Sequence, residues 1–420
     1  MILHKEQIAG SYIFIACTVT FVKMYVLFAY LLGTSVAVIT SIFFLGNIAV
    51  IYYGRRTLVK KKTFIIFGVF LVLVPYFFSI INFFISPSAL LLQLFYLSQI
   101  LVGAIAVVRY KQQVKKAIIA AVILNLLVGI VSIVMPALFA PLSEINASRV
   151  TYGGRAIGFF LQPNTFGVAN VVLMIAASVL CSRKTFHYLY PLLFVTTAIS
   201  FSRSAIGLFF ITTFILLAYS WLRGRWRLKH AMKPMIRMGG VVGIGIILFL
   251  ASPYSVILDN LQSFDQVYSR IEFFMNFNPD SIIEDASLED RADFQRKYIE
   301  QLPQIFPVGK GLGSEWIAID SGALEGKAHM THLQLLYEGG VYYWISFIIV
   351  LCTFYYFFWK NKNSSQEKAY FASQILIFMI VFSLFSSSML AMRELYLVMG
   401  LMIQFRPVNS IEYFLKEERF

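Results

Sequence analysis

The chain has 420 residues, 59% of them hydrophobic and only 13% charged, and a net charge of +14. Soluble domains carry about 25% charged residues, so this composition excludes a soluble globular protein and places the chain in a lipid bilayer. The basic excess does not indicate nucleic acid, because it sits in short segments between apolar runs, and the three cysteines, Cys17, Cys181 and Cys352, imply no disulfide framework.

Spans are expected near 8–31, 35–54, 63–85, 88–108, 117–138, 157–181, 186–201, 204–222, 236–252, 332–359, 370–388 and 393–406. Lipid offers backbone groups no partner, so such runs must be helical. The first run has no small-residue cleavage site and reads as a retained helix, with Lys23 inside it able to snorkel to the outer surface. The expected fold is an all-α polytopic membrane protein of about 12 transmembrane helices. The basic clusters Arg55–Lys62, Arg109–Lys116, Arg183–Lys184, Arg223–Arg237 and Lys360–Lys368 then fall on the cytoplasmic side with both termini. The organisation is residues 1–252 as nine spans, 253–330 as a large extracytoplasmic loop with short helices, and 331–420 as three spans and a cytoplasmic tail.

Four arginines, Arg149, Arg155, Arg203 and Arg393, oppose the positive-inside rule by occupying short external segments. Their rigid donor forks match phosphate or carboxylate, so an anionic ligand is expected at that face; pairing with Glu144, Glu394 or lipid headgroups is the alternative. Near Arg155, Gln162, Pro163 and Asn164 fall inside the expected sixth span, where Pro163 should kink the helix. Ser202-Arg203-Ser204 lies between two closely spaced spans, which holds Arg203 near the bilayer surface.

The interval from Asp259 to Glu325 holds 13 of the 21 acidic residues. Within it, Phe294, Tyr298 and Leu302 have the spacing of one helix face, ended by Pro303 and Pro307, and Gly309, Gly311 and Gly313 make a tight return. Arg296 is expected to pair with neighbouring acids. The aromatic residues Phe264, Tyr268, Phe273, Phe274 and Trp316 read first as packing for the loop's own core, and second as platforms for sugar rings. His329 and His332 then open the tenth span on the outer face. One His-x-x-His without a third ligand is weak evidence for metal, whereas a histidine with an ordinary pKa of about 6.5 can act as a general base.

Four motifs in this order resemble the O-antigen ligase and Wzy-like polysaccharide polymerase superfamily: Arg-x-x-Gly-Phe-x-x-x-Pro-Asn at 155–164, Ser-Arg-Ser at 202–204, Asp-Arg at 290–291 with Gly-x-Gly at 311–313, and His-x-x-x-Leu-Gln-x-x-x-Glu-x-Gly at 329–340. The resemblance implies a GT-C-like fold in the bacterial cytoplasmic (inner) membrane and a site on its extracytoplasmic side. It implies an inverting glycosyltransferase that takes glycan from undecaprenyl pyrophosphate with no metal, nucleotide or other cofactor. Carried over by motif, Arg203 and Arg291 hold the pyrophosphate, Arg155 is a further anion contact, and His329 takes the acceptor's proton. Glu338 orients polar partners; Asn164, Gln162, Arg149 and Arg393 are secondary candidates. Met330 follows His329 where the family often has Asn, which makes His332 the fallback base.

The leading expectation is a polymerase whose donor and acceptor are both undecaprenyl-pyrophosphate-linked oligosaccharides, working beside a flippase and a chain-length regulator. A ligase moving glycan to lipid A core uses the same donor and remains open. A lipid-linked oligosaccharide flippase is the reading from another class, although no internal repeat is evident.

Overall fold

A computed structural model describes residues 2–58, 61–82, 86–142, 155–222, 286–324, 327–386 and 388–405. Every regular element among them is helical, and no strand occurs. In chain order they are α1 (Ile2–Val22), α2 (Tyr25–Leu31), α3 (Val36–Gly54), α4 (Lys61–Gly68), α5 (Val74–Ile81), α6 (Pro87–Arg109), α7 (Lys111–Val134), α8 (Pro163–Leu180), α9 (Arg183–Ala198), α10 (Arg203–Leu222), α11 (Ala286–Ile305), α12 (Ser314–Asp320), α13 (Thr331–Asn361), α14 (Gln366–Phe385) and α15 (Arg393–Gln404). A π-helical turn at Val69–Leu73 joins α4 to α5 just before Pro75, whose missing N–H makes a regular α-helical junction costly.

Among the described residues seven helices are long and apolar enough to cross a membrane, or up to eight if the bent pair α1–α2 counts as one. The protein is therefore an all-α, multi-span membrane protein. The expected spans at 186–201, 204–222 and 393–406 appear as shorter or less uniformly apolar helices, and the one at 236–252 lies outside the described residues.

The packing core is built on α6, α8 and α15. Gly103 on α6 meets the Leu397 carbonyl, and Gly400 on α15 meets the Ile100 carbonyl, so a side chain at either glycine would separate the two backbones. Close approach through small residues is how helices gain contact where lipid removes the hydrophobic drive to associate. Interior polar groups pair across helices. Asn47 donates to Ser98 Oγ at 2.8 Å, and Asn125 donates to Asn170 Oδ1 at 3.1 Å.

Two expectations change here. The sixth span does not carry Pro163 in its interior: α8 begins at Pro163, after a 3-10 turn at Gly158–Phe160. Proline suits the first position of a helix, where its missing N–H would have no partner anyway, so no kink results. In the loop, α11 passes Pro303 and continues to Ile305.

Candidate functional site

Alternation of the helices brings most of the singled-out residues to one end of the bundle. Glu6, Arg109 and Tyr110 mark the opposite end, where Tyr110 donates to Glu6 at 2.7 Å and Arg109 pairs with it at 3.6 Å. From there α1 leads to Lys23, α9 to the turn before Arg203, and α14 to Ser386, which accepts from Thr331 beside His332. Arg155, Gln162, Asn164, Arg203, His329, His332 and Arg393 all belong to that second end. Arg149 lies outside the described residues, as do Phe264, Tyr268, Phe273 and Phe274.

This end also concentrates backbone strain. The four described non-glycine residues with positive φ are Lys23 (59°), Leu161 (59°), Phe201 (47°) and His329 (50°). Each stands in or beside a singled-out stretch: Leu161 precedes Gln162, Phe201 precedes Arg203, and His329 is the expected base. Such conformations cost about 1–3 kcal/mol each and persist where the surroundings enforce them, which happens most often at functional sites.

Arg203 opens α10. Ser202 is its N-cap, accepting from the Ala205 N–H at 3.3 Å, and its hydroxyl lies 3.2 Å from Ser204 Oγ. The Ser-Arg-Ser motif is thus a capped helix start that leaves Arg203 half-buried at the first turn. The preceding turn is held by Arg155, which is buried and whose Nε donates to the Ser200 carbonyl at 2.9 Å. Its Nη2 reaches the Phe201 carbonyl at 3.4 Å and Asn164 Oδ1 at 3.0 Å, while Ala156 N–H donates to the Ile199 carbonyl at 2.9 Å. These contacts engage Nε and Nη2 of the Arg155 fork within the protein and hold the turn that leads into Arg203. Gln162 is exposed and accepts from Thr165 at 3.3 Å.

The loop segment Pro307–Gly313 and the Glu338-Gly339-Gly340 sequence prove to be two halves of one joint. At Gly339 and Gly340 the backbone of α13 leaves helical geometry, which releases the Tyr337 and Glu338 carbonyls and the Val341 N–H from their helix partners. The loop takes all three: Lys310 N–H donates to Tyr337 O at 2.8 Å, Gly311 N–H to Glu338 O at 2.7 Å, and Val341 N–H to Pro307 O at 2.9 Å. The Glu338 carboxyl accepts from Gly313 N–H at 3.2 Å. On the other side Leu312 N–H donates to Ser79 and Asn82 donates to the Gly309 carbonyl, at 2.8 and 2.9 Å. A broken span is tolerated because these freed groups find partners in the loop. Beside the joint, Asn82, Gln304, Phe306, Gly309 and Lys310 help line a cleft of about 410 Å³ that contains none of the candidate arginines or histidines.

His329 is reached from α12. Buried Glu315 accepts from Tyr298 Oη at 2.8 Å and from the Ala328 N–H at 3.3 Å, so it anchors the residue just before the histidine. Burial raises the Glu315 carboxyl above its ordinary range and lowers Lys327 below its own. Tyr298, Leu324, Ala328, Leu333 and Tyr337 form a small core beneath. The His329 ring stacks on Phe294 of α11, with centroids 6.4 Å apart and planes 23° apart. Arg291 is on α11 three residues before Phe294; its side chain lies outside the described part. Arg296 pairs with Asp293 at 2.8 Å, as expected. Trp316 is exposed and carries Lys327 Nζ 3.9 Å from its ring centroid, so it does not pack the loop core.

His332 is committed to the protein. Its Nδ1 accepts from Trp344 Nε1–H at 3.0 Å and its Nε2 lies 3.1 Å from Ser383 Oγ. Ser383 spends its one proton on the Ile380 carbonyl at 2.8 Å, so His332 Nε2–H is the donor in that pair. Both nitrogens are engaged in a neutral ring, which removes His332 as the fallback base.

Sequence reasoning missed Glu315 and the weight of Lys23, and placed Tyr298 on a helix face without its bond to Glu315. Glu315 follows the Gly-x-Gly motif closely, and Lys23 is a charge inside an apolar run; both signals were in the sequence. No protein-family model matches the chain, and no curated protein matches it.

Proposed function

We propose that this chain is a membrane glycosyltransferase that polymerises undecaprenyl-pyrophosphate-linked oligosaccharide repeat units into surface polysaccharide, an O-antigen, capsule or exopolysaccharide, on the outer face of a bacterial inner membrane. The observation that carries the reading is the gathering, at one end of the bundle, of a capped arginine, Arg203, and a strained histidine, His329, each held by its own support: Arg155 for the first and Glu315 for the second. The reading includes the fold of about 12 GT-C-like spans, the loop of residues 253–330, and both termini in the cytoplasm.

In this scheme Arg203 and Arg291 hold the donor's pyrophosphate and balance the charge that grows on it as it leaves. His329 removes the proton from the acceptor hydroxyl, whose oxygen attacks the anomeric carbon from the face opposite the pyrophosphate. One C–O bond forms, the bond to pyrophosphate breaks with its electron pair, and the configuration inverts. The His329 proton then returns to solvent.

The test uses purified protein in detergent, synthetic undecaprenyl-pyrophosphate repeat units, and no added nucleotide sugar or metal. A ladder of longer lipid-linked glycans that vanishes in His329→Ala supports the reading. No ladder from folded protein and native repeat unit overturns the polymerase assignment in favour of a ligase with another acceptor, or of a flippase.

A further inference from the structure

The first span breaks at Lys23: α1 and α2 meet at 99°. The break is built in, because the freed Phe21 carbonyl accepts from Asn125 Nδ2 at 3.3 Å, and Thr20 Oγ1 lies 2.8 Å from Tyr25 Oη. α1 is about 30 Å long, close to the thickness of the hydrocarbon core, so the break stands near headgroup depth.

Two cations meet there. Lys23 Nζ lies 5.7 Å from the Phe160 ring centroid, and the Arg393 guanidinium lies 4.5 Å from the Tyr25 centroid and 5.2 Å from that of Phe95. They are electrostatic neighbours of each other and of Glu394, and Lys327 adds a further positive charge near Lys23. By contrast, Arg155 and Lys368 bond carbonyls, and Arg109 and Arg296 pair with carboxylates. Lys23 and Arg393 have neither a hydrogen bond nor an ion pair among the described residues, and Arg393 Nη1 is a buried donor without an acceptor. Glu394, buried at 3% exposure, feels the charge of both but forms no ion pair with either among the described residues. Both cations are half-buried and so remain reachable. An aromatic face steadies a guanidinium while leaving its in-plane N–H edge free for an oxyanion, and charges withdrawn from water are expected to be paired.

We propose that Lys23 and Arg393 form a second oxyanion site that takes the phosphate of a membrane lipid, namely the diphosphate linkage of the acceptor substrate. The identity of that lipid rests on the transferase reading; the existence of the anion site does not. A polymerase must hold two lipid-linked diphosphates at once, and Arg203 and Arg291 serve only the donor.

The full chain in phosphatidylcholine nanodiscs is titrated with undecaprenyl monophosphate, and bound lipids are counted by native mass spectrometry. Two equivalents are expected for the wild type, one each for Arg203→Gln and for the double variant Lys23→Met/Arg393→Met, and none for the triple variant. Because the double variant also loses aromatic packing, Lys23→Gln and Arg393→Lys carry the test separately, each weakening one equivalent by about ten-fold. Unchanged affinity in both, or two equivalents in the double variant, overturns the site. Equal occupancy by phosphatidylglycerol overturns the acceptor assignment, and occupancy by inorganic pyrophosphate alone overturns the lipid source. Intact binding at both sites without glycan transfer sinks the transferase reading and leaves this site standing.

Discussion

Trp344 donates its indole N–H to Nδ1 of His332 at 3.0 Å, one helical stretch along α13 from the loop that carries His329. Two histidines that look equivalent in the sequence are thereby separated: His332 is tied to α13 and α14 through both ring nitrogens, and His329 stacks on Phe294 in the loop. His329→Ala is expected to lower glycan transfer by about 10²–10⁴-fold, the usual worth of a general base, with little change in unfolding temperature. His332→Ala is expected to do the reverse: transfer within several-fold of wild type, and stability lower by about 1–3 kcal/mol because the Trp344 donor loses its partner. Transfer rates and thermal unfolding of the same two preparations decide it. Loss of transfer in a stable His332→Ala protein would reinstate His332 as the base.

Arg155 and Arg203 should likewise part company. Arg155→Lys cannot span the Ser200 and Phe201 carbonyls and Asn164 together, since an ammonium lacks the planar fork. Lower stability and lower transfer are expected together. Arg203→Lys keeps the Ser202 cap and the fold, so transfer alone should fall, chiefly through weaker donor binding. A stable Arg155→Lys protein with impaired donor affinity would return Arg155 to the anion site.

Hydropathy made the helical, multi-span character and the positions of most helices legible, because the cost of exposing backbone to lipid acts on every residue of a run. It could not show that Pro163 starts α8, since the chain before a helix can be as apolar as the helix itself. The pairing of Gly311-x-Gly313 with Glu338-x-Gly340 was visible only as two motifs; their union depends on which groups the kink in α13 releases. The difference between His329 and His332 lies in Trp344, further along α13 beyond its kink, and in Ser383 on α14, and no local pattern encodes that.

The joint itself makes a steric prediction. Gly340 has φ 62° and ψ −161°, a region open essentially to glycine alone, and a Cβ there would meet the Pro307 carbonyl. Gly340→Ala should cost about 2 kcal/mol or more and detach the 307–313 segment, seen as new protease cleavage between α11 and α12. Glu338→Gln keeps an oxygen for Gly313 N–H and should preserve the joint, whereas Glu338→Ala should mimic the glycine variant. Undisturbed cleavage patterns in Gly340→Ala would show that the joint does not hold the loop.

Glu315 gives the site a pH response with a definite sign. Burial raises its carboxyl above the ordinary value of 4.5, although Tyr298 and the Ala328 N–H, as donors, partly oppose the shift. The neutral acid is the form that buries without penalty. Stability of the segment from Ser314 to His329 is therefore complete below about 4.5 and declines as pH rises through the raised folded value. Hydrogen exchange of Ala328 and its neighbours, corrected for the intrinsic pH dependence of exchange, should speed up across that window in the wild type. Glu315→Gln, which stays neutral and keeps an acceptor for both donors, should flatten the response. A wild-type segment that tightens with rising pH would mean that Lys327 holds Glu315 ionised, and that the segment before His329 is secured by an ion pair and not by a buried neutral acid.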